Sequence, residues 1–225
     1  NEVATTGAGR DFSGLSIQEV GYGAAWDTEH RQTTIPQLTY LSGSRKMYWD
    51  GTNRVIQASS TGDCPLKGLG AFSINLWSRK PIGTTNHVLM GHDSGGSYWR
   101  FTGVTNLIMH MACSTAAATT TATASHGLID DGRLKMFTIT YDGTTGKLYV
   151  DGNLIQSDAG EGTLSSGYEC IGYYAGNTYT DGGYHDEISK WGTTLTQAEI
   201  VELYNDGIFK DARKHTQKNN LLAYY

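Results

Sequence analysis

Two stretches of the chain alternate apolar and polar residues with a period of two, and that pattern restricts the fold more than any other feature. AFSINLW (71–77) sets Phe72, Ile74 and Leu76 on one side and Ser73, Asn75 and Trp77 on the other. MFTITYDG (136–143) repeats the arrangement with Phe137, Ile139 and Tyr141. Successive side chains of a strand point to opposite faces, so this spacing predicts half-buried β-strands. KLYVDGNLIQ (147–156) places Asp151-Gly152 between two apolar segments, a pair that accepts the positive φ angles of a two-residue hairpin turn. The composition agrees: the 225-residue chain has 29 Gly, 14 Tyr and only 3 Pro, and Thr and Tyr favour strands whereas Gly favours turns. A chain of this length can bury a core without staples and suits one large all-β domain with appendages.

One helix is well specified. In LTQAEIVELYNDG (195–207), Thr196 is the expected N-cap and Glu199 completes a capping box, with Leu195 and Ile200 in the hydrophobic-staple positions. Ile200, Leu203 and Tyr204 form the apolar stripe, and Gly207 is placed to end the helix in the left-handed conformation. The expectation is about two turns packed on the edge of a sandwich. Residues 1–44 have weak periodicity and read as an extended, polar N-terminal arm. STAAATTTATAS (114–125) carries no charge and no large apolar group; it reads as a mobile or edge-lying loop, although Thr and Ala runs also pair as an edge strand.

The net charge is −5, from 17 basic and 22 acidic residues, and no run of Lys or Arg exceeds two. Nucleic-acid binding needs clustered cations and is not expected. No apolar run approaches the roughly 20 residues of a membrane-spanning helix, so no membrane insertion is expected. The start at Asn1 rather than Met reads as a processed, trimmed or incomplete start. Cys64, Cys113 and Cys170 allow at most one internal disulfide and read as reduced, partly buried thiols.

Four segments, in order, resemble the laminin-G-like, concanavalin A-like jelly-roll family: KMYWDGTNRVIQ (46–57), AFSINLWSRK (71–80), GRLKMFTITYDGTTGKLYVDGNLI (132–155) and GGYHDEISKWGTTLTQAEIVELYNDG (182–207). The last two are the specific ones, and the match covers roughly 45–207. The resemblance implies an all-β, two-sheet antiparallel jelly-roll sandwich with one short C-terminal helix. The domain plan is then an arm at 1–44, the jelly roll at 45–207 and a C-terminal extension at 208–225 ending in a strand. In one respect the chain departs from the family. A strand like "LVAYY" usually precedes the DG piece, whereas here NNLLAYY (219–225) closes the chain. Either a second, truncated domain begins there or this strand completes a sheet from the other end. The spacing from YNDG to LLAYY is similar to that in structural proteins of marine tailed bacteriophages.

Asp186 and Glu187 lie side by side in GYHDEISKW, beside His185 and near Trp191, which raises the question of glycoside hydrolysis. Strand alternation sends the two carboxyls to opposite faces, whereas glycosidases need a pair about 5 to 5.5 Å or about 6.5 to 9.5 Å apart across one bond. The related β-glucanases place acids two residues apart in an ExDxxE motif; two residues after Asp186 stands Ile188, and two after Glu187 stands Ser189. No enzyme activity is expected. By the resemblance the acidic pair is structural, with one member satisfying backbone donors or a calcium ion. Candidate Ca²⁺ ligands are Asp93, Asp181 and Asp186, joined by backbone carbonyls of Gly-rich loops. His87, His92, His110 and Cys113 lack the second ligand pair of a zinc site, and no GxSxG motif or P-loop is present.

Aromatic residues concentrate in YECIGYYAGNTYTDGGYH (168–185) and DSGGSYWRF (93–101). Rings with an apolar face and a polar edge suit stacking against sugars or proteins. Tyr98, Trp99 and Tyr179 are the aromatic residues expected to be exposed, with Asp93 and Asn177 to supply hydrogen bonds beside them. Two functional readings follow for a virion-surface or extracellular location. One is a structural, decoration or tail protein of a virus particle or similar assembly, acting through neighbouring protein subunits. The other is a carbohydrate-binding adhesion module that takes glycans.

Overall fold

The computed structural model describes residues 47–49, 56–57, 65–80, 82–83, 86–91, 98–102, 106–111, 116–123, 131–164, 170–171, 173–174, 178–179 and 183–225. The arm read over 1–44 lies outside the described residues. Strands β1 (Met47–Trp49), β2 (Ile56–Gln57), β3 (Phe72–Arg79), β4 (Asn86–Gly91), β5 (Tyr98–Thr102), β6 (Asn106–Met111) and β7 (Ala118–Thr123) come first. Strands β8 (Lys135–Tyr141), β9 (Thr145–Val150), β10 (Asn153–Ala159) and β11 (Cys170–Ile171) follow. A short pair, β12 (Tyr173–Tyr174) and β13 (Thr178–Tyr179), then leads into β14 (Gly183–Trp191), helix α1 (Gln197–Tyr204) and β15 (Leu221–Tyr224).

Among the described residues two antiparallel sheets form. A seven-stranded sheet runs β10-β9-β8-β3-β14-β15, with β1 also paired to β14, and a six-stranded sheet runs β2-β11-β4-β5-β6-β7. The alternating segments explain how they stack. Phe72, Ile74, Leu76, Phe137, Ile139 and Tyr141 share one cluster with Trp99, Phe101, Leu107 and Met109 from the opposite sheet. Phe137 meets both Phe101 and Trp99 edge-on, at 5.5 Å and 6.4 Å between ring centres, an arrangement that aromatic quadrupoles favour. The hairpin forms as its dipeptide predicts: Asp151 and Gly152 have φ of 50° and 81°, and Val150 pairs with Asn153. The Asp151 carboxylate also accepts the Met136 N–H at 2.9 Å.

The expectation of half-buried strands is corrected. Every residue of β8 is buried, and in β3 only Arg79 is not. The outer residues Trp77, Met136, Tyr149 and Trp191 form a second cluster with Leu195, Ile200 and Leu203. Helix α1 therefore covers the outer face of the seven-stranded sheet rather than an edge. Period-two patterning misses this because the outer positions mix polar with apolar residues, and the polar ones serve the cover. Ser73 Oγ donates to the Thr193 carbonyl at 2.9 Å and accepts the Leu195 N–H at 2.8 Å, seating the chain just before the helix. Thr138 donates to Asn75 at 2.6 Å on the same face.

The helix start forms as read: Thr196 Oγ1 accepts the Glu199 N–H and the Glu199 carboxylate accepts the Thr196 N–H. The helix end comes earlier than Gly207. Asn205 is already left-handed at φ 49°, and Asp206 and Gly207 follow with φ of 56° and 87°. Two further expectations are settled. Part of the Thr/Ala stretch is the regular edge strand β7, paired along β6. The final LLAY strand belongs to this domain: β15 pairs with β14, and Ile188 and Tyr225 exchange backbone hydrogen bonds at 3.2 Å and 2.9 Å. Residues between the helix and β15 are tied back to it, since Glu202 binds Lys210 at 2.8 Å and Thr216 at 2.8 Å, and Gln217 donates to Glu199 at 2.9 Å.

Replacing Thr196 by Ala removes the acceptor for the Glu199 N–H, and stability to urea is expected to fall by about 1 kcal/mol. An unchanged unfolding midpoint would show that the helix start is held by the Leu195 and Ile200 contacts alone.

Candidate functional site

The outer face of the seven-stranded sheet is covered at its centre, and among the described residues the outer face of the six-stranded sheet is a broad, half-open surface. Its strands show the alternation that β8 lacks. Along β6, Leu107, Met109 and Met111 are buried, while Asn106, Ile108 and His110 are half-buried on the other side. Register extends the surface across the neighbouring strands. Tyr98 stands opposite His110, Arg100 opposite Ile108 and Thr102 opposite Asn106. On the far side of β6, Thr119, Thr121 and Thr123 occupy the positions opposite His110, Ile108 and Asn106. The face is more open toward β7, where Thr119 is exposed, than toward β4, where Val88 opposite Arg100 is fully buried.

Burial holds the His110 imidazole below its ordinary range, so at neutral pH the ring is uncharged and acts as a hydrogen-bonding group. Arg100 is then the one formal charge among the strand positions of this face. No residue of the six strands is acidic. The surface thus combines one guanidinium, hydroxyl, amide and imidazole groups, and the apolar body of Ile108.

Of the residues read from sequence as a ligand site, Trp99 alone has its side chain among the described residues. Trp99 is not exposed: it is 2% accessible and packs in the core against Phe137. Alternation is the reason, because Trp99 pairs with the inward Met109 while its neighbours Tyr98 and Arg100 take the outward register. Tyr98 and Tyr179 lie in strands, but their side chains are outside the described residues, as are Asp93 and Asn177 altogether. Asn106, Ile108 and His110 were missed as site residues. NLIMHM alternates legibly, but only the pairing of β5 with β6 puts its polar side next to Arg100.

The acidic pair also needs correction. Strict alternation fails because β14 has a bulge between Asp186 and Ser189, with Glu187 in the left-handed region at φ 50°. Asp186 stands opposite Trp77, and Glu187 accepts the Tyr224 hydroxyl, so both belong to the outer, covered side. Asp186 is 5% accessible and accepts the Glu187 N–H at 2.9 Å. Burial raises the Glu187 pKa, although the Tyr224 hydrogen bond lowers it, and burial also raises that of Tyr224. Glu187 therefore ties β14 to β15 through Tyr224, and Asp186 holds the backbone at the bulge. Of the three proposed calcium ligands, Asp93 and Asp181 lie outside the described residues. Asp186, within a strand and turned to its neighbour's N–H, does not fit a rim site.

A serine–histidine contact lies elsewhere. Ser78 Oγ and His87 Nε2 are 2.8 Å apart, and the His185 ring is 5.1 Å from that of His87. All three residues are fully buried between the sheets, so no substrate reaches them and the arrangement is part of the core.

No curated protein sequence matches the chain. A family model, described as the concanavalin A-like lectin/glucanases superfamily, matches residues 50–201. Solved structures share the fold at low identity. The binding domain of Paraclostridial Mosquitocidal Protein 1 is 17% identical with a TM-score of 0.55, covering 72% of this chain and 43% of that one. The binding domain of botulinum neurotoxin DC, solved with SialylT, is 13% identical with a TM-score of 0.53, covering 72% and 41%. A botulinum neurotoxin type C structure, whose cell entry depends on two ganglioside molecules, is 15% identical with a TM-score of 0.53, covering 72% and 42%. The chain thus spans less than half the length of these structures.

Two outcomes follow from the burial pattern. Trp99→Ala should lower stability by about 3 to 5 kcal/mol, the cost of emptying a core position; a variant as stable as the parent would return Trp99 to the surface. His185 has its pKa lowered from 6.5 to about 3 by burial. The unfolded state therefore binds a proton below pH 6.5 that the folded state refuses, and stability should fall as pH drops from about 6.5 to about 3. Buried carboxylates shape the same range, so the comparison is with His185→Phe, whose profile should be flatter; parallel profiles would contradict the assignment.

Proposed function

Because this chain belongs to the concanavalin A-like lectin/glucanase superfamily, we propose that it is a non-catalytic binding domain that takes carbohydrate at an extracellular surface. The observation that carries the reading is the difference between the two sheets. The chain covers the outer face of the seven-stranded sheet with its own helix and C-terminal segment, and leaves the polar outer face of the six-stranded sheet half-open. A strand face with hydroxyl, amide and imidazole groups around an apolar residue has the composition that sugar binding requires: hydrogen bonds to hydroxyls and an apolar patch for the ring. The fold relatives support the same reading, since those structures concern SialylT, gangliosides and, in another complex of neurotoxin DC, rat synaptotagmin II. The ExDxxE pattern of the related β-glucanases is absent from the chain, and the Glu187 carboxylate is engaged by the Tyr224 hydroxyl.

A finer reading places the domain on a virus particle, contacting neighbouring subunits. It rests on the polar stretch 1–44 and on the YNDG-to-LLAYY spacing. The pairing of β15 within its own sheet limits this reading to the N-terminal stretch, because the final strand already has its partner. Rapid proteolysis of residues 1–44 in the free chain, lost on assembly, would support it; equal protection in both states would remove it. Calcium remains part of the proposal through Asp93, Asp181 and loop carbonyls, and a lower melting temperature in chelator is the expected sign. A melting curve indifferent to chelator would dismiss the ion.

The direct test is a glycan array probed with the full chain, repeated with His110→Ala and Asn106→Ala. Specific binding that weakens in these variants, without a change in melting temperature, is the expected result. Binding unaffected by both would move the site away from this face.

A further inference from the structure

Strand β15 has its partner within the chain along one edge, and we infer that its other edge pairs with β15 of a second copy, so that the seven-stranded sheets of two chains run on as one. The backbone comes first. Ile188 and Tyr225 exchange hydrogen bonds at 3.2 Å and 2.9 Å, and Ser189 stands opposite Tyr224. Hydrogen-bonded and non-hydrogen-bonded pairs alternate along an antiparallel ladder, so the N–H and C=O of Tyr224 point away from β14, to the outer edge. Among the described residues β15 ends the sheet and no strand lies beyond it. Unpaired peptide groups along an edge are a template for a further strand. The other described edges are blunted. Strands β7 and β10 close on each other: the Asp158 carboxylate accepts the Thr119 N–H at 3.2 Å, and Ala116 and Glu161 exchange backbone bonds at 3.2 Å and 3.0 Å. Strand β2 is only two residues long.

Charged side chains and proline also keep a foreign strand from an edge, and β15 has neither: NNLLAYY (219–225) holds no Asp, Glu, Lys, Arg or Pro. It exposes apolar surface instead, with Leu222 46% and Tyr225 52% accessible. The charges nearest to it are turned onto its own side chains. Lys190 Nζ lies 4.8 Å from the centre of the Tyr225 ring, the Arg213 guanidinium 5.2 Å from that of Tyr224, and Glu187 accepts the Tyr224 hydroxyl. An incoming strand must itself have an open, uncharged edge, and among the described strands β15 is the one that offers it. A two-fold axis sets β15 antiparallel to its own copy, the self-complementary contact of a closed dimer. Each chain carries a net charge of −5, so two copies repel at a distance and meet best through a neutral segment. Paired residues of an antiparallel ladder share one side of the sheet. The two six-stranded sheets therefore lie on the same side of the joined sheet, and their outer faces point the same way. Resting at this step on the carbohydrate-binding reading, the dimer presents two sugar-binding faces to one surface and holds it with avidity.

The test is sedimentation of the full chain over a range of concentrations, with no glycan present. A monomer–dimer equilibrium is expected, shifted toward the dimer by salt, which screens the repulsion between acidic copies. Leu222→Lys and Leu222→Glu each set like charges against one another across the two-fold axis. Both should sediment as monomers with the parent's circular dichroism spectrum, and the two mixed in equal amounts should form a dimer again. In the parent, the Tyr224 amide should be protected from hydrogen exchange at dimer concentrations and lose that protection on dilution. A parent that stays monomeric at every concentration overturns the inference and leaves the edge to a different protein. A dimer that both variants leave intact, or one whose Tyr224 amide exchanges freely, overturns it as well. Densely and sparsely printed glycans then read the consequence: the parent should bind the dense array about tenfold or more tightly than Leu222→Lys and the sparse array equally. A dimer that binds no glycan keeps the strand pairing and removes the carbohydrate-binding reading; a monomeric parent that binds glycan does the reverse.

Discussion

Strand β14 is bonded along both edges and covered on both faces, and much of the domain is placed by that constraint. On one edge it pairs with β3; on the other it pairs first with β1 and then with β15, so the first and last described strands meet on one neighbour. On one face Ile188 joins the core between the sheets, and on the other Trp191 joins the cluster beneath the helix. A regular strand cannot do this with the residues present, because a period of two would send Asp186 and Ile188 to the same side. The bulge at Glu187 supplies the missing step. One extra residue reverses the facing of everything after it, so Ile188 turns inward and Trp191 turns toward the helix. Placing a non-glycine residue at φ 50° costs about 1 to 3 kcal/mol. The contacts it permits offset that cost: the Glu187 carboxylate takes the Tyr224 hydroxyl, and Trp191 Nε1 donates to Ser189 at 3.1 Å.

The same bulge marks the limit of what could be read from the residues. The hairpin at Asp151-Gly152, the capping box at Thr196 and Glu199, and the inward sets Phe72/Ile74/Leu76 and Phe137/Ile139/Tyr141 are local features, each set by a few neighbouring residues, and each stands where the sequence places it. GYHDEISKW reads as an unbroken strand because nothing in Asp-Glu-Ile announces a left-handed residue; glycine, asparagine or another turn former would have. The cover over Ser73 and Asn75 was illegible for a related reason. A buried polar residue that seats a distant backbone looks in sequence like a solvent-facing one, and its partners at Thr193 and Leu195 are more than a hundred positions away. The placing of Trp99 failed through proximity to charge and glycine in DSGGSYWRF, which suggested a loop, whereas one step of alternation decides between the core and the surface.

The closing strand shows how local and global information combine. LLAYY resembles the piece that the family carries before its DG segment, and here it arrives from the other end of the chain to pair with the later half of β14. Sheet hydrogen bonding depends on which backbones lie side by side and not on the order in which the chain delivers them. The segment that carries it must then be held down over a distance, and the Glu202 and Glu199 contacts to Lys210, Thr216 and Gln217 do this, with His215 packed edge-on against Trp191 at 4.9 Å. The helix is thereby pressed onto the sheet from both ends.

That closure has a consequence for function. A sandwich of two sheets has two outer faces, and among the described residues this one covers the centre of the seven-stranded sheet's face and leaves the six-stranded sheet's face half-open. Two acids of the seven-stranded sheet are engaged locally: Asp186 accepts the Glu187 N–H and Glu187 accepts the Tyr224 hydroxyl. Along β6 the six-stranded sheet alternates: Leu107, Met109 and Met111 face inward, and Asn106, Ile108 and His110 face outward. The two strands that had to alternate cleanly for the core to form, β5 and β6, are the same two that set Arg100 opposite Ile108. The packing that buries Trp99 and Met109 on one side of those strands therefore fixes the spacing of Arg100, Ile108 and His110 on the other, so the surface is held rigid by the core directly behind it. A face held this way is ordered before any contact is made, which is the condition under which a few polar contacts suffice for specificity.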